Sequence, residues 1–99
     1  LKHVKKRADK STLANTMLFE AVRYEHIDTV RALLKHGADP NDRGGLAGTF
    51  ATTHGHFEIM RLLLAHGWIE CKQAVHAATS NNRVEALSVL LDHGIKSTG

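Results

Sequence analysis

The chain has 99 residues, enough for one domain, and its 42% hydrophobic and 23% charged residues are the composition of an ordinary soluble globule. A chain of this size buries about 60 to 68% of the surface its unfolded form exposes, so its core is modest. No apolar run reaches the ~18 residues of a membrane span, the start has no apolar segment of a secretion signal, and one cysteine, Cys71, excludes an internal disulfide; the expectation is an intracellular protein of cytoplasm or nucleus, without membrane insertion.

The formal charge of +3 belongs to one end. In residues 1–10, Lys2, Lys5, Lys6, Arg7 and Lys10 stand against Asp9, a net +4, while eight basic and nine acidic residues leave the remainder at −1. Such a cluster suits a nucleic-acid patch, an acidic protein surface or simply a solvated face. Arg7-Ala8-Asp9 stands thirty residues before Gly37-Ala38-Asp39, so the segment also reads as the remnant of a preceding unit. The lack of a leading Met points to a fragment or processed form.

Residues 11–15 form a polar lead-in, in which Ser11, Thr12 or Asn15 is expected to accept from the open amides of a first helical turn. A short helix of about eight residues follows, with Leu18, Ala21 and Val22 in its core face, then a tight turn near Glu25. The second helix carries Ile27, Val30, Leu33 and Leu34 as one apolar stripe and stops at Gly37, where a left-handed residue ends a helix without steric cost. His36 lies in its last turn, near exposed carbonyls and the negative end of the helix dipole. Asp42-Arg43-Gly44-Gly45-Leu46-Ala47-Gly48 has three glycines and reads as a short finger tip; no Lys-Ser/Thr sequel or preceding strand makes it a phosphate loop.

The pattern then repeats. Residues 16–30 align without gaps on 46–60 and on 73–87, with turns near Gly55 and Asn82 in place of Glu25. Leu33-Leu34-Lys35-His36-Gly37 returns as Leu63-Leu64-Ala65-His66-Gly67 and as Leu90-Leu91-Asp92-His93-Gly94. Ala21, Ala51 and Ala78 are small enough to let paired helices approach closely. Units of this kind cannot bury their own apolar faces and must stack on their neighbours.

These residues make the chain resemble the ankyrin repeat family, whose unit opens T-P-L-H-x-A and continues into an apolar second helix ending L-L-x-x-G-A-D. The first unit supplies Thr16, Leu18, Ala21, His26 and Leu33 with Leu34 through Ala38-Asp39-Pro40-Asn41; the second supplies Ala51 and Gly55-His56; the third supplies His76-Ala77-Ala78. The match covers about residues 11–96. The family unit has about 33 residues, whereas the steps here are 30 and 27, so the finger between the second and third units is expected to be cut to a bare turn. The resemblance implies an all-α, ankyrin-type helix-turn-helix solenoid with short inter-repeat loops: a single domain over 11–99 with repeats at about 12–41, 42–71 and 72–99.

It also implies a concave surface made by the first helices, on which the alignment puts Glu20, Arg23 and Tyr24, then Phe50, Thr53 and His54, then Ala77, Ser80 and Asn81. Tyr, Arg and Phe are residue types that carry interface energy, so a partner patch is expected at Arg23, Tyr24, Phe50 and His54; equally, Tyr24 and Phe50 fill gaps between units. The third unit, with Leu87, Leu90 and Leu91 facing inward, reads as a true end of the stack. Eight histidines raise the question of metal, but His54 and His56 do not share a helix face, and Cys71 has no companion cysteine; no metal or other cofactor is expected. No nucleophile and base stand in a catalytic spacing. The function expected is a non-enzymatic protein-interaction module whose partner and oligomeric state the sequence leaves open. Its rivals are a nucleic-acid or acidic-surface contact through the basic start and a regulatory or assembly domain of a larger enzyme.

Overall fold

A computed structural model describes residues 10–69 and 71–94. Six helices follow one another: α1 Lys10–Arg23, α2 Ile27–Lys35, α3 Asp42–His54, α4 Phe57–Ala65, α5 Lys72–Ser80 and α6 Val84–Asp92. They pair as α1 with α2, α3 with α4 and α5 with α6. The first helices stack in the order α1, α3, α5 and the second helices in the order α2, α4, α6. This is an all-α, ankyrin-type solenoid, and its single core runs between the two layers.

One backbone device makes the hairpins. Glu25, Gly55 and Asn82 are left-handed, at φ 58°, 73° and 55°. In each case the left-handed N–H and the next one turn back into the helix that is ending. Glu25 N donates to Val22 O and His26 N to Ala21 O; Gly55 N to Thr52 O and His56 N to Ala51 O; Asn82 N to Thr79 O and Arg83 N to Ala78 O. This double bond pattern satisfies carbonyls that a helix end leaves open. The second helices α2 and α4 close the same way, with Gly37 N on Leu34 O, Ala38 N on Leu33 O, Gly67 N on Leu64 O and Trp68 N on Leu63 O. His36, His66 and His93 cap α2, α4 and α6 through backbone N–H groups, while their side chains are exposed.

The expected core is present. Leu18, Ala21, Val22, Val30, Leu34, Ala51, Leu63, Ala78 and Leu90 are all buried. Ala21, Ala51 and Ala78 also carry the carbonyls that accept the second turn bonds, so close helix approach and helix ending meet at one residue.

Three expectations need correction. The first helix has 14 residues, and the polar lead-in is part of it, because nothing between Lys10 and Thr16 breaks a helix. Asn15 therefore caps no first turn; its Oδ1 accepts from Asp39 N at 2.7 Å instead. Second, α3 opens with a left-handed stretch at Arg43, Gly44 and Gly45 (φ 52°, 68° and 81°), and its regular turns begin after it. Third, the last unit does not turn all its leucines inward. Leu90 is buried and Leu87 packs against the core, but Leu91 is 66% exposed and Val84 65% exposed.

Candidate functional site

The C-terminal ends of α1, α3 and α5 come next to one another and bring the expected patch residues along the same layer. In the first unit Glu20, Arg23 and Tyr24 are exposed and interact: Arg23 Nη1 lies 3.7 Å from Glu20 Oε2, and its guanidinium carbon lies 5.0 Å from the Tyr24 ring centre. The Tyr24 ring in turn tilts on His26, with centres 6.2 Å apart.

The second unit is more densely packed. Phe50 meets Phe19 of α1 edge to face, with centres 5.6 Å apart and planes at 83°, and it stacks on His54 at 4.1 Å. His54 continues toward His56 at 6.1 Å, and its Nδ1 lies 3.1 Å from Phe50 O. Phe50 is half-buried against the core, His54 is exposed, and Thr53 is half-buried with its hydroxyl donating to Thr49 O. In the third unit Ser80 and Asn81 are exposed at the end of α5, and Asn81 Nδ2 donates to Ala77 O at 2.8 Å. Phe50 thus closes the gap between two units through its edge contact with Phe19, and its face carries an exposed imidazole.

Residues after the left-handed turn tie units together. His56 Nδ1 lies 3.4 Å from Glu25 Oε2 of the preceding unit. At the equivalent position Arg83 Nε donates to Thr53 O at 3.0 Å, again in the preceding unit. Asn41 makes another bridge, with Nδ2 donating to Gly67 O at 2.9 Å and Oδ1 accepting from Ile69 N at 2.8 Å. The Asn15 bond to Asp39 N repeats the second of these one unit earlier, since Asp39 and Ile69 both stand two residues after the terminating glycine. The repeat alignment does not pair the two Asn, because the extra residues 42–45 put Asn15 and Asn41 out of register.

Among the described residues no group of three or more His, Cys, Asp or Glu is placed to hold a metal ion. Cys71 is buried, with its sulfur 4.0 Å from Trp68 O. No described helix is long and apolar enough to cross a membrane. Of the basic patch, Lys2, Lys5, Lys6 and Arg7 lie outside the described residues, and Lys10 opens α1.

A family model described as ankyrin repeats (many copies) matches residues 18–64 and again residues 49–91. Among curated proteins, the chain is 36% identical over 92 residues to the human transient receptor potential cation channel subfamily A member 1. That match takes in 83% of this chain and 8% of the channel protein, so the chain spans under a tenth of the relative's length. No solved structure matches the chain. The architecture is that of a protein-interaction scaffold. With a repeat model matching twice across the stacked helix pairs, the chain belongs to the ankyrin repeat family.

Proposed function

We propose that the chain binds a protein partner through the row of first-helix ends, with Glu20, Arg23, Tyr24, Phe50, Thr53, His54, Ser80 and Asn81 as the contact surface. The observation that carries this reading is the aromatic run from Phe19 through Phe50 to His54, together with Tyr24 under Arg23 at the end of α1. Exposed rings and a guanidinium held on rigid helices lose little side-chain freedom on binding, which is why such groups concentrate interface energy. The scaffold itself needs no chemistry. Recognition would come from shape, ring faces and the Arg23 and Glu20 charges at the rim.

The small share of the channel relative that is matched fits repeats serving as one module of a much longer chain, whether for binding or for regulating a larger protein. The cation-channel activity in that protein's name is not carried over to this chain. The single buried thiol suits a reducing intracellular setting, in cytoplasm or nucleus.

The test is affinity capture from cell extract with the wild-type chain and with a Tyr24→Ala/His54→Ala variant, after circular dichroism has established equal folding. A protein retained by the first and lost by the second supports the patch. Equal retention moves binding elsewhere. If instead nucleic acid is retained and released by modest added salt, the basic segment becomes the functional surface.

A further inference from the structure

The seams between units use one device with different chemistry. At the first seam His56, the residue after the left-handed turn, faces Glu25 of the preceding turn, with Nδ1 3.4 Å from Oε2. At the second seam the equivalent residues are Arg83 and Gly55. A permanent cation stands in place of the imidazole, and the side chain that carried the carboxylate is absent. A Cβ placed on Gly55 would lie 3.7 Å from Arg83 Nη1, so the guanidinium covers the spot from which Glu25 extends at the first seam. Arg83 is held there by its Nε, which donates to Thr53 O at 3.0 Å. Among the described residues no carboxylate pairs with Arg83; Glu85 lines the same open groove, with Phe57 and Asn82, yet makes no ion pair with it.

We propose that Arg83 receives a carboxylate from an acidic segment of the protein partner, which takes the place at the second seam that Glu25 holds at the first. The inference rests on the reading of the first-helix ends as the partner surface, which Arg83 adjoins through Thr53. A guanidinium fixed through Nε presents its Nη groups as a fork, from which one carboxylate accepts two parallel hydrogen bonds. Because the backbone carbonyl already holds the side chain, less of its freedom is lost on binding. Phe57 adds apolar surface on which the methylenes of a glutamate leave water. Arg83 is exposed, so the contact weakens as salt is added.

Titration of the full chain with a capped hexaglutamate peptide, followed by heteronuclear NMR, tests the proposal. The Arg83 Nε–Hε and Gly55 N–H signals should shift saturably at low salt, with half-saturation at about 1 to 10 mM, while capped hexaglutamine leaves them in place. Arg83→Gln should abolish the Gly55 shift. Gly55→Glu should abolish the Arg83 shift, because it supplies the carboxylate from within; Glu25 already holds that side chain at φ 58°. Circular dichroism establishes folding, and Arg83→Gln decides alone if Gly55→Glu does not fold. The proposal is overturned by a silent Arg83, by shifts confined to residues 1–10, or by a Gly55 shift that persists in Arg83→Gln. A response of Arg83 to inorganic phosphate but not to hexaglutamate overturns it too. These readouts need no partner, so their failure is distinct from failure of the capture experiment with Tyr24→Ala/His54→Ala.

Discussion

Gly48 and Trp68 stand face to face across the seam between α3 and the end of α4, with indole carbons in the space that any Cβ on residue 48 would occupy; Cη2 alone would lie 2.7 Å from it. Trp68 is the largest fully buried side chain. Its ring is admitted because position 48 has no side chain.

Gly48→Ala should therefore destabilise the protein although alanine is the better helix former. Propensity favours alanine by about 1 kcal/mol, but overpacking a closed site costs about 1 to 3 kcal/mol or more, and here the obstacle is a rigid ring rather than a flexible tip. A net loss of at least ~1 kcal/mol is expected in chemical denaturation. Adding Trp68→Leu should recover part of it; a Gly48→Ala protein as stable as wild type would contradict the packing described.

How far the sequence discloses this fold depends on whether the relevant contact repeats. The turns at Glu25, Gly55 and Asn82 and the stops at Gly37, Gly67 and Gly94 recur in register, and three copies of one pattern identify them. The stacking of Trp68 on Gly48 occurs once, and Gly48 alone reads only as a weak helix former. Asn15 and Asn41 do equivalent work, but the left-handed insertion at 43–45 shifts one against the other, so alignment separates them. The patch was legible as positions on one layer. The gap-filling role of Phe50 was legible as an alternative, but its partner was not, because Phe19 occupies a different position in its unit and the edge contact between the rings is a matter of three-dimensional packing.

The left-handed turns predict opposite effects from one exchange. A Cβ at Gly55 would meet only ordinary contacts, Phe57 Cζ at 3.6 Å and Arg83 Nη1 at 3.7 Å, so Gly55→Ala should cost the backbone strain alone, about 1 kcal/mol. Glu25→Gly relieves the same strain at φ 58° but gives up the pairing with His56 and some unfolded-state entropy, leaving a gain of about 0.5 kcal/mol. Asn82→Gly should change little, since asparagine tolerates this conformation. Melting temperatures should place Glu25→Gly highest, Asn82→Gly next and Gly55→Ala lowest.

Asn41 uses both ends of its amide between units. Asn41→Asp keeps an acceptor for Ile69 N but turns an oxygen toward Gly67 O, where a donor stood. A loss of about 1 to 3 kcal/mol is expected. Hydrogen exchange at Ile69 and at amides of α5 should quicken more than in α1, because the lost bond holds Gly67, in the loop that leads to α5.

Leu63 is fully buried on the central second helix, and its carbonyl accepts from both His66 and Trp68. Leu63→Ala keeps the backbone bonds and removes the side chain, which should cost about 2 to 5 kcal/mol through lost burial and a cavity. A loss below about 1 kcal/mol by denaturant titration would place the core elsewhere than between the two helical layers.

Phe50 decides whether the aromatic patch is a contact surface or a seam. Its ring packs on Phe19 across two units and on exposed His54, so truncation removes both. Phe50→Ala should lower stability by about 2 kcal/mol, less than a fully buried phenylalanine would. Tyr24, 57% exposed, should tolerate alanine within about 1 kcal/mol, the loss being chiefly its contact with Arg23. Phe50→Leu separates the roles, because leucine fills much of the gap against the core while removing the face on which His54 stacks. If partner affinity falls more than tenfold in Tyr24→Ala and Phe50→Leu while melting shifts by only a few degrees, the rings are a contact surface. If affinity follows the folded fraction alone, and Phe50→Leu binds as wild type, Phe50 serves the stack and the partner binds elsewhere.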